Sequence, residues 1–247
     1  MVRDGKKGQL PQSDAIEDVA ATSDLWNESD QWMVQAFSGV DTVIHAAWYA
    51  EPGQYLNSAK NFECLAGTLR LSQAAMRTKL RRFVGIGTCF EYDLSAGDLS
   101  VRTTLMPATP DALAKVATFT ALSESLPRLG VEFAWRRLFY LHGEGEGEDE
   151  RRLAPYLRAR LEAGEPAELS SGDQIRDYLD ITDAARMIAE TALGPMQGPV
   201  NICSGVPVTI RQIPEQIADH YGRRDLLKFG ARPENLTDPP RVVGLRG

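Results

Sequence analysis

The sequence predicts an α/β fold, a parallel sheet flanked by helices with a small mixed lobe toward the C-terminus. Three observations point to it. Short apolar, β-branched runs alternate with longer amphipathic segments through the middle of the chain. "DTVIHAA", the helical spacing of apolar residues over 57–78, and "RRFVGIGT" together make one βαβ unit, whose crossover is expected to be right-handed. Beyond these, helices and short strands interleave, as in a lobe built onto a main sheet. The expected division is residues 1–145 for the main domain and 146–247 for the smaller lobe, interleaved with it.

Taken in order, "DTVIHAA" reads as a buried strand because its β-branched residues suit a pleated, covered surface. "CFEYDLSAGDLS" is a loop containing Gly and Ser. Residues 112–126 are good helix formers with Pro127 just after them, and "VEFAWRRLFYLHG" is a strand running into the acidic loop "GEGEGEDE". That loop reads as a solvated face. A helix over 151–163, an extended "PAEL", a helix over 182–193, a strand "PVNICSG" and a helix over 209–221 follow. The first residues, "MVRDGKKGQLPQSD", carry Gly5 and Gly8 without an apolar strand before them, which reads as a flexible terminus.

At 247 residues the chain is long enough for one large domain, or one with an appended lobe, and one cooperative unit is expected. The net charge of −7, with scattered arginines, lacks the basic stripe of a nucleic-acid binder, so any phosphates held are those of a small ligand. No apolar run approaches the ~20 residues of a membrane span, and the N-terminus lacks the apolar core of a signal peptide, so a cytoplasmic protein is expected. Cys64, Cys89 and Cys203 are widely spaced and odd in number, and the three histidines show no ligand spacing. Buried thiols, no disulfide framework and no metal centre are therefore expected.

In "PATPDALAKVATF", Lys115 follows Asp111 by four residues, one turn along a helix. Taken alone, the pair reads as an exposed ion pair worth about 0.2–0.5 kcal/mol.

In sequence order, "SDLWNES" with "GVDTVIHAAW", then "AGTLRLSQAA", "RRFVGIGTCFEYD", "TPDALAK", "RRLFYLHGEGE", "QIRDYLDITDAARMI" and "NICSGVPVTIRQI" resemble successive landmarks of one family. It is the extended short-chain dehydrogenase/reductase family, the NAD(P)-dependent epimerases and dehydratases acting on nucleotide sugars. The resemblance spans about residues 23–205 and implies a Rossmann-like sheet, NAD or NADP as cofactor, and a nucleotide sugar as ligand. It also implies a homodimer through a four-helix contact of residues 57–78 and 112–126. That family's sheet begins with a strand, a glycine-rich turn and a helix. No such unit is found here, so the sheet is expected to lack its first βαβ unit.

Family members move a hydride, and a tyrosine handles the accompanying proton. Its pKa of about 10 is lowered by a lysine four residues on. By resemblance Lys115 is that lysine, Thr88 the Ser/Thr that orients the substrate oxygen, and Asp111 stands at the tyrosine position. A carboxylate beside a lysine is expected to be pushed toward its ionised form and to have no proton to give. Tyr92 is a phenol nearby that could take over, in a place where the family often has a tyrosine without that role.

The resemblance also implies that Asp24 and Leu25 contact adenine, and that Ala46 and Ala47 allow the cofactor close to the backbone. Tyr92, Tyr140 and Arg176 would then meet the substrate, with the Arg176 fork on the nucleotide diphosphate. Each has an alternative: Asp24 as a helix N-cap, the alanines as packing, Arg176 as the partner of Asp177 or Asp180. His45 reads as a core histidine, Cys64 as a buried thiol where relatives have asparagine, and Arg3 as a remnant of a ribose-reading position. Three versions stay open: a shortened enzyme impaired by its missing tyrosine, a nucleotide-sugar-binding pseudoenzyme, or a dimeric scaffold.

Overall fold

A computed structural model of the chain describes residues 1–5, 8, 10, 13–143, 153–235 and 238–246. Residues 144–150 of the acidic stretch, and the first two residues of the helix expected from 151, lie outside them.

The N-terminal half comprises β1 (Val2–Arg3), β2 (Ala21–Thr22), α1 (Asp30–Ala36), β3 (Thr42–His45), α2 (Lys60–Met76), β4 (Arg82–Thr88), β5 (Asp98–Leu99), α3 (Pro110–Ser125), β6 (Glu132–Leu138) and β7 (Tyr140–His142). Then come α4 (Leu153–Ala163), β8 (Ala167–Leu169), β9 (Ile175–Asp180), α5 (Ile181–Leu193), β10 (Gly198–Ile202), β11 (Pro207–Thr209), α6 (Gln212–Tyr221), β12 (Leu227–Phe229) and β13 (Arg241–Gly244).

The main sheet has the order β10-β6-β4-β3, with every pair parallel. Helices cover both faces, which explains the near-continuous apolar runs. On one side Met33, Leu71, Phe83, Leu122, Phe133 and Trp135 form the largest core. On the other, Ala192 of α5 packs on Val84 and Ala134. Trp135 lies so close over β4 that a Cβ on Gly85 would fall 2.4 Å from its ring. Arg82 of "RRFVG" and both arginines of "WRRLF", Arg136 and Arg137, are buried rather than solvated. Arg82 Nη1 donates to the Thr191 carbonyl at 2.8 Å and Arg136 Nε to Thr191 Oγ1 at 2.7 Å, meeting the electronegative C-terminal turn of α5.

α3 starts at Pro110, two residues before the expected 112. Thr109 Oγ1 accepts from the Ala112 N–H at 3.2 Å, Pro110 occupies the first turn, and Asp111 adds an acidic residue there.

The second sheet runs β11-β9-β13-β5, with β7 also beside β9, while β8 and β12 form a separate parallel pair. Leu157, Leu161, Ala167, Leu169, Ala218 and Leu226 make the core of this part. The stretch expected as a plain loop after β4 supplies β5, which pairs with β13 far along the chain.

The N-terminus departs from the flexible end expected of it. Val2–Arg3 pair in parallel with Ala21–Thr22, a two-stranded ribbon separate from the main sheet. Among the described residues β3 has no partner on its outer edge, and Ile44 is 47% exposed.

Candidate active site

In parallel sheets ligands gather beyond the carboxyl ends of the strands. Here a cavity of about 850 Å³ opens at the ends of β1, β2 and β3, walled by Arg3, Asp24, Leu25, Ala47, Trp48 and Cys64 among others. Its size lies within the ~300–1,000 Å³ of small-molecule sites. Asp24 Oδ1 accepts from the Trp26 N–H at 3.0 Å, and its other oxygen accepts from the Asn27 side chain at 2.7 Å. It therefore caps the short 3-10 turn Leu25–Asn27 and still faces the cavity. Ala46 and Ala47 are exposed, at the mouth left by β3.

Asp111 and Lys115 lie on the N-terminal turns of α3, which follows β4 and runs back to the start of β6. That topology sets them at the same end of the sheet as Thr88. The pair is not the exposed one its spacing allows. Asp111 is fully buried, and Lys115 Nζ stands 3.5 Å from its Oδ1. Neither carboxylate oxygen has a hydrogen-bond partner among the described residues. The expectation of a carboxylate driven to its ionised form is corrected. Loss of hydration outweighs the attraction of Lys115 and raises the Asp111 pKa above the ordinary value. The Lys115 ammonium also lies over the Trp48 ring, 5.4 Å from its centroid. Trp48 lines the cavity, and its Nε1 donates to Asn61 Oδ1 at 2.9 Å.

Thr88 ends β4, and its hydroxyl accepts from the Phe90 N–H. Its own N–H donates to Glu91 Oε1 at 2.9 Å, closing a capping box. Glu91 is buried and also takes Arg137 Nε at 2.6 Å and Trp135 Nε1 at 3.0 Å. Tyr92 is fully buried: its hydroxyl donates to Asn201 Oδ1 at 2.7 Å and accepts from Arg137 Nη1 at 3.1 Å. A phenol so enclosed is not placed to take over proton transfer, and its pKa is raised by burial.

His45 is a core histidine, with one ring nitrogen 2.9 Å from Thr68 Oγ1 and its pKa lowered to about 4 by burial. Cys64 accepts from the Tyr49 N–H at 3.3 Å, and burial raises its thiol pKa.

A second cavity of about 250 Å³ lies in the C-terminal part, between Leu169, Ile210, Phe229, Arg232 and Asp238. Arg176 on β9 is buried and does not pair with Asp177 or Asp180. Its Nη2 donates to Asp238 Oδ2 at 2.6 Å, and the Tyr140 ring lies 5.5 Å from its guanidinium carbon. Asp177 instead accepts from Ser204 and Gly205, and Asp180 caps α5. Trp48 and Asp238, each in contact with a residue singled out from sequence, carry no motif that would have revealed them.

Comparison with known proteins bears on the family and the fold. The model of the NAD dependent epimerase/dehydratase family matches residues 8–203. The dTDP-6-deoxy-L-talose 4-dehydrogenase (NAD(+)) of Aggregatibacter actinomycetemcomitans is 23% identical over 231 residues, covering 90% of this chain and 82% of the relative. Among solved structures, the UDP-glucose 4-epimerase of Thermus thermophilus, in complex with NAD, superposes with a TM-score of 0.79 at 20% identity. That match covers 98% of this chain and 80% of the other. The UDP-glucose 4-epimerase of Thermotoga maritima, with UDP-glucose, gives 0.80 at 16% identity over 99% and 81%. At these identities the structural likenesses show the fold.

Proposed function

Since the chain belongs to the NAD dependent epimerase/dehydratase family, we propose that it binds a nicotinamide dinucleotide and a nucleotide sugar, with proton transfer impaired at Asp111. The observation that carries this is the buried Asp111–Lys115 pair, in the place where the resemblance puts a tyrosine and its lysine. A carboxyl is shorter than tyrosine by a phenyl ring. Sealed from solvent, it reaches no ligand in the cavity without movement of the side chains around it.

The larger cavity suits the dinucleotide. Asp24 and Leu25 would flank the adenine, Ala46 and Ala47 would let the cofactor approach the backbone, and Lys115 would hold the ribose beside the nicotinamide. When bound, the dinucleotide supplies hydride acceptance and donation. Thr88 would orient a sugar oxygen, its backbone fixed by Glu91. Arg176 and Tyr140 would hold the diphosphate, and the apolar walls of the smaller cavity, Leu169 and Phe229, would take the base. NAD and NADP are both admitted.

Calorimetry with NAD+, NADP+ and UDP-glucose, on the unmodified chain and on Asp111→Tyr, tests the reading. Expected are binding of cofactor and sugar nucleotide by both proteins, and NADH or NADPH formation only with the tyrosine. No heat from any of the three with a folded sample would refute the proposal, and turnover by the unmodified chain would refute the impairment.

A second reading has its own observation. Phe62 on α2 and Leu113 on α3 are 54% and 49% exposed, on the two helices of the expected dimer contact. In that reading two copies pair there as a scaffold. Sedimentation velocity should then show a dimer that Phe62→Glu dissociates, and a monomer at all concentrations would dismiss it.

A further inference from the structure

Arg176 is 1% exposed, so its charge is one the fold cannot leave unpaired without a large penalty. Its Nη1 donates to the Ile175 carbonyl at 2.9 Å and its Nη2 to Asp238 at 2.6 Å. Asp238 differs in one respect: its side chain is 31% exposed and lines the smaller cavity. The two halves of the ion pair are therefore unequal. Water can receive the carboxylate when it turns away, whereas the guanidinium stays buried and needs another anion in its place. The chain beside Asp238 is anchored, because the Pro240 carbonyl accepts from the Ile175 N–H at 2.9 Å. An exchange at Arg176 thus needs only the carboxylate to move.

We propose that Asp238 holds the place on Arg176 that a ligand's diphosphate takes, so that nucleotide binding exchanges an internal carboxylate for phosphate oxygens. The inference rests on the nucleotide-sugar reading of this same site. A diphosphate is favoured in the exchange because it carries more charge and offers the planar guanidinium two oxygens together. Asp238 keeps the site neutral and ordered without ligand, and weakens apparent affinity by the fraction of molecules in which Arg176 is occupied. It also discriminates: a singly charged or neutral ligand gains too little at Arg176 to displace it.

The test is calorimetric titration with uridine 5′-diphosphate of the full chain and of Asp238→Asn, Asp238→Glu and Arg176→Gln, with circular dichroism confirming that each is folded. Asp238→Asn is expected to bind about tenfold tighter than the unmodified chain, having lost a charged competitor. Asp238→Glu, which keeps the charge, should stay within about twofold, and Arg176→Gln should lose at least about tenfold. Without ligand, Asp238→Asn should also melt lower, and uridine 5′-diphosphate should raise its melting temperature more than that of the unmodified chain. If Arg176→Gln loses affinity while Asp238→Asn is unchanged or weaker, Asp238 is a positioning residue. The exchange is then overturned and the nucleotide reading stands. If neither the unmodified chain nor Asp238→Asn binds, the nucleotide reading falls and takes the exchange with it.

Discussion

Arg137 Nε donates to Glu91 Oε2 at 2.6 Å, with both side chains sealed inside the protein. The other Glu91 oxygen holds the Thr88 N–H, so this ion pair fixes the end of β4. Glu91→Ala would leave Arg137 buried without its carboxylate, and a loss of about 3–5 kcal/mol in urea unfolding is expected. A loss below about 1 kcal/mol would show that the pair does not brace the strand end.

Asp111 should cost stability at neutral pH. Its folded pKa is raised by burial, so above the unfolded value of 3.8 the native state holds a proton that the unfolded chain has released, and stability falls as pH rises through that window. Asp111→Asn is therefore expected to melt higher than the unmodified chain at pH 7. The difference should shrink as pH is lowered toward 3.8. A difference that grows on acidification would contradict the sign.

His45 works in the opposite direction. Its pKa falls from 6.5 to about 4, so between those values the unfolded chain binds the extra proton and stability is lost as pH falls. The shift corresponds to about 3 kcal/mol, lost progressively from pH 6.5 downward. Imidazole resonances followed by NMR should show His45 neutral at pH 5.5, and titration near 6.5 would dispose of the claim.

Gly85 is expected to tolerate no side chain. A Cβ there would fall 2.4 Å from the Trp135 ring, which is itself locked beneath α3. Gly85→Ala should destabilise by about 1–3 kcal/mol through overpacking, measured by chemical denaturation. An unchanged midpoint would mean that Trp135 can shift.

The parts of the fold legible in sequence were those with local periodicity. "DTVIHAA", residues 57–78 and "RRFVGIGT" became β3, α2 and β4, and residues 112–126 became α3 with its start two residues earlier. Val2–Arg3 and Asp98–Leu99 were missed because two-residue strands carry no pattern, and each is defined by a distant partner. At the site, the spacing of Asp111 and Lys115 was visible but their burial was not. An i,i+4 pair looks the same whether α3 turns that face to water or to Trp48. For Arg176 the sequence offers the chain neighbours Asp177 and Asp180, and neither is its partner. The partner lies 62 residues away because β13 brings Asp238 beside β9.

The wall of the larger cavity carries its own optical reporter. Of the four tryptophans, Trp26 and Trp48 face that space, while Trp135 is sealed in the core. Light emitted by the first two should respond to whatever enters, and the third supplies a steady background. Occupancy of the cavity can thus be followed by quenching in the unlabelled chain, without waiting for a reaction that Asp111 is expected to hold back.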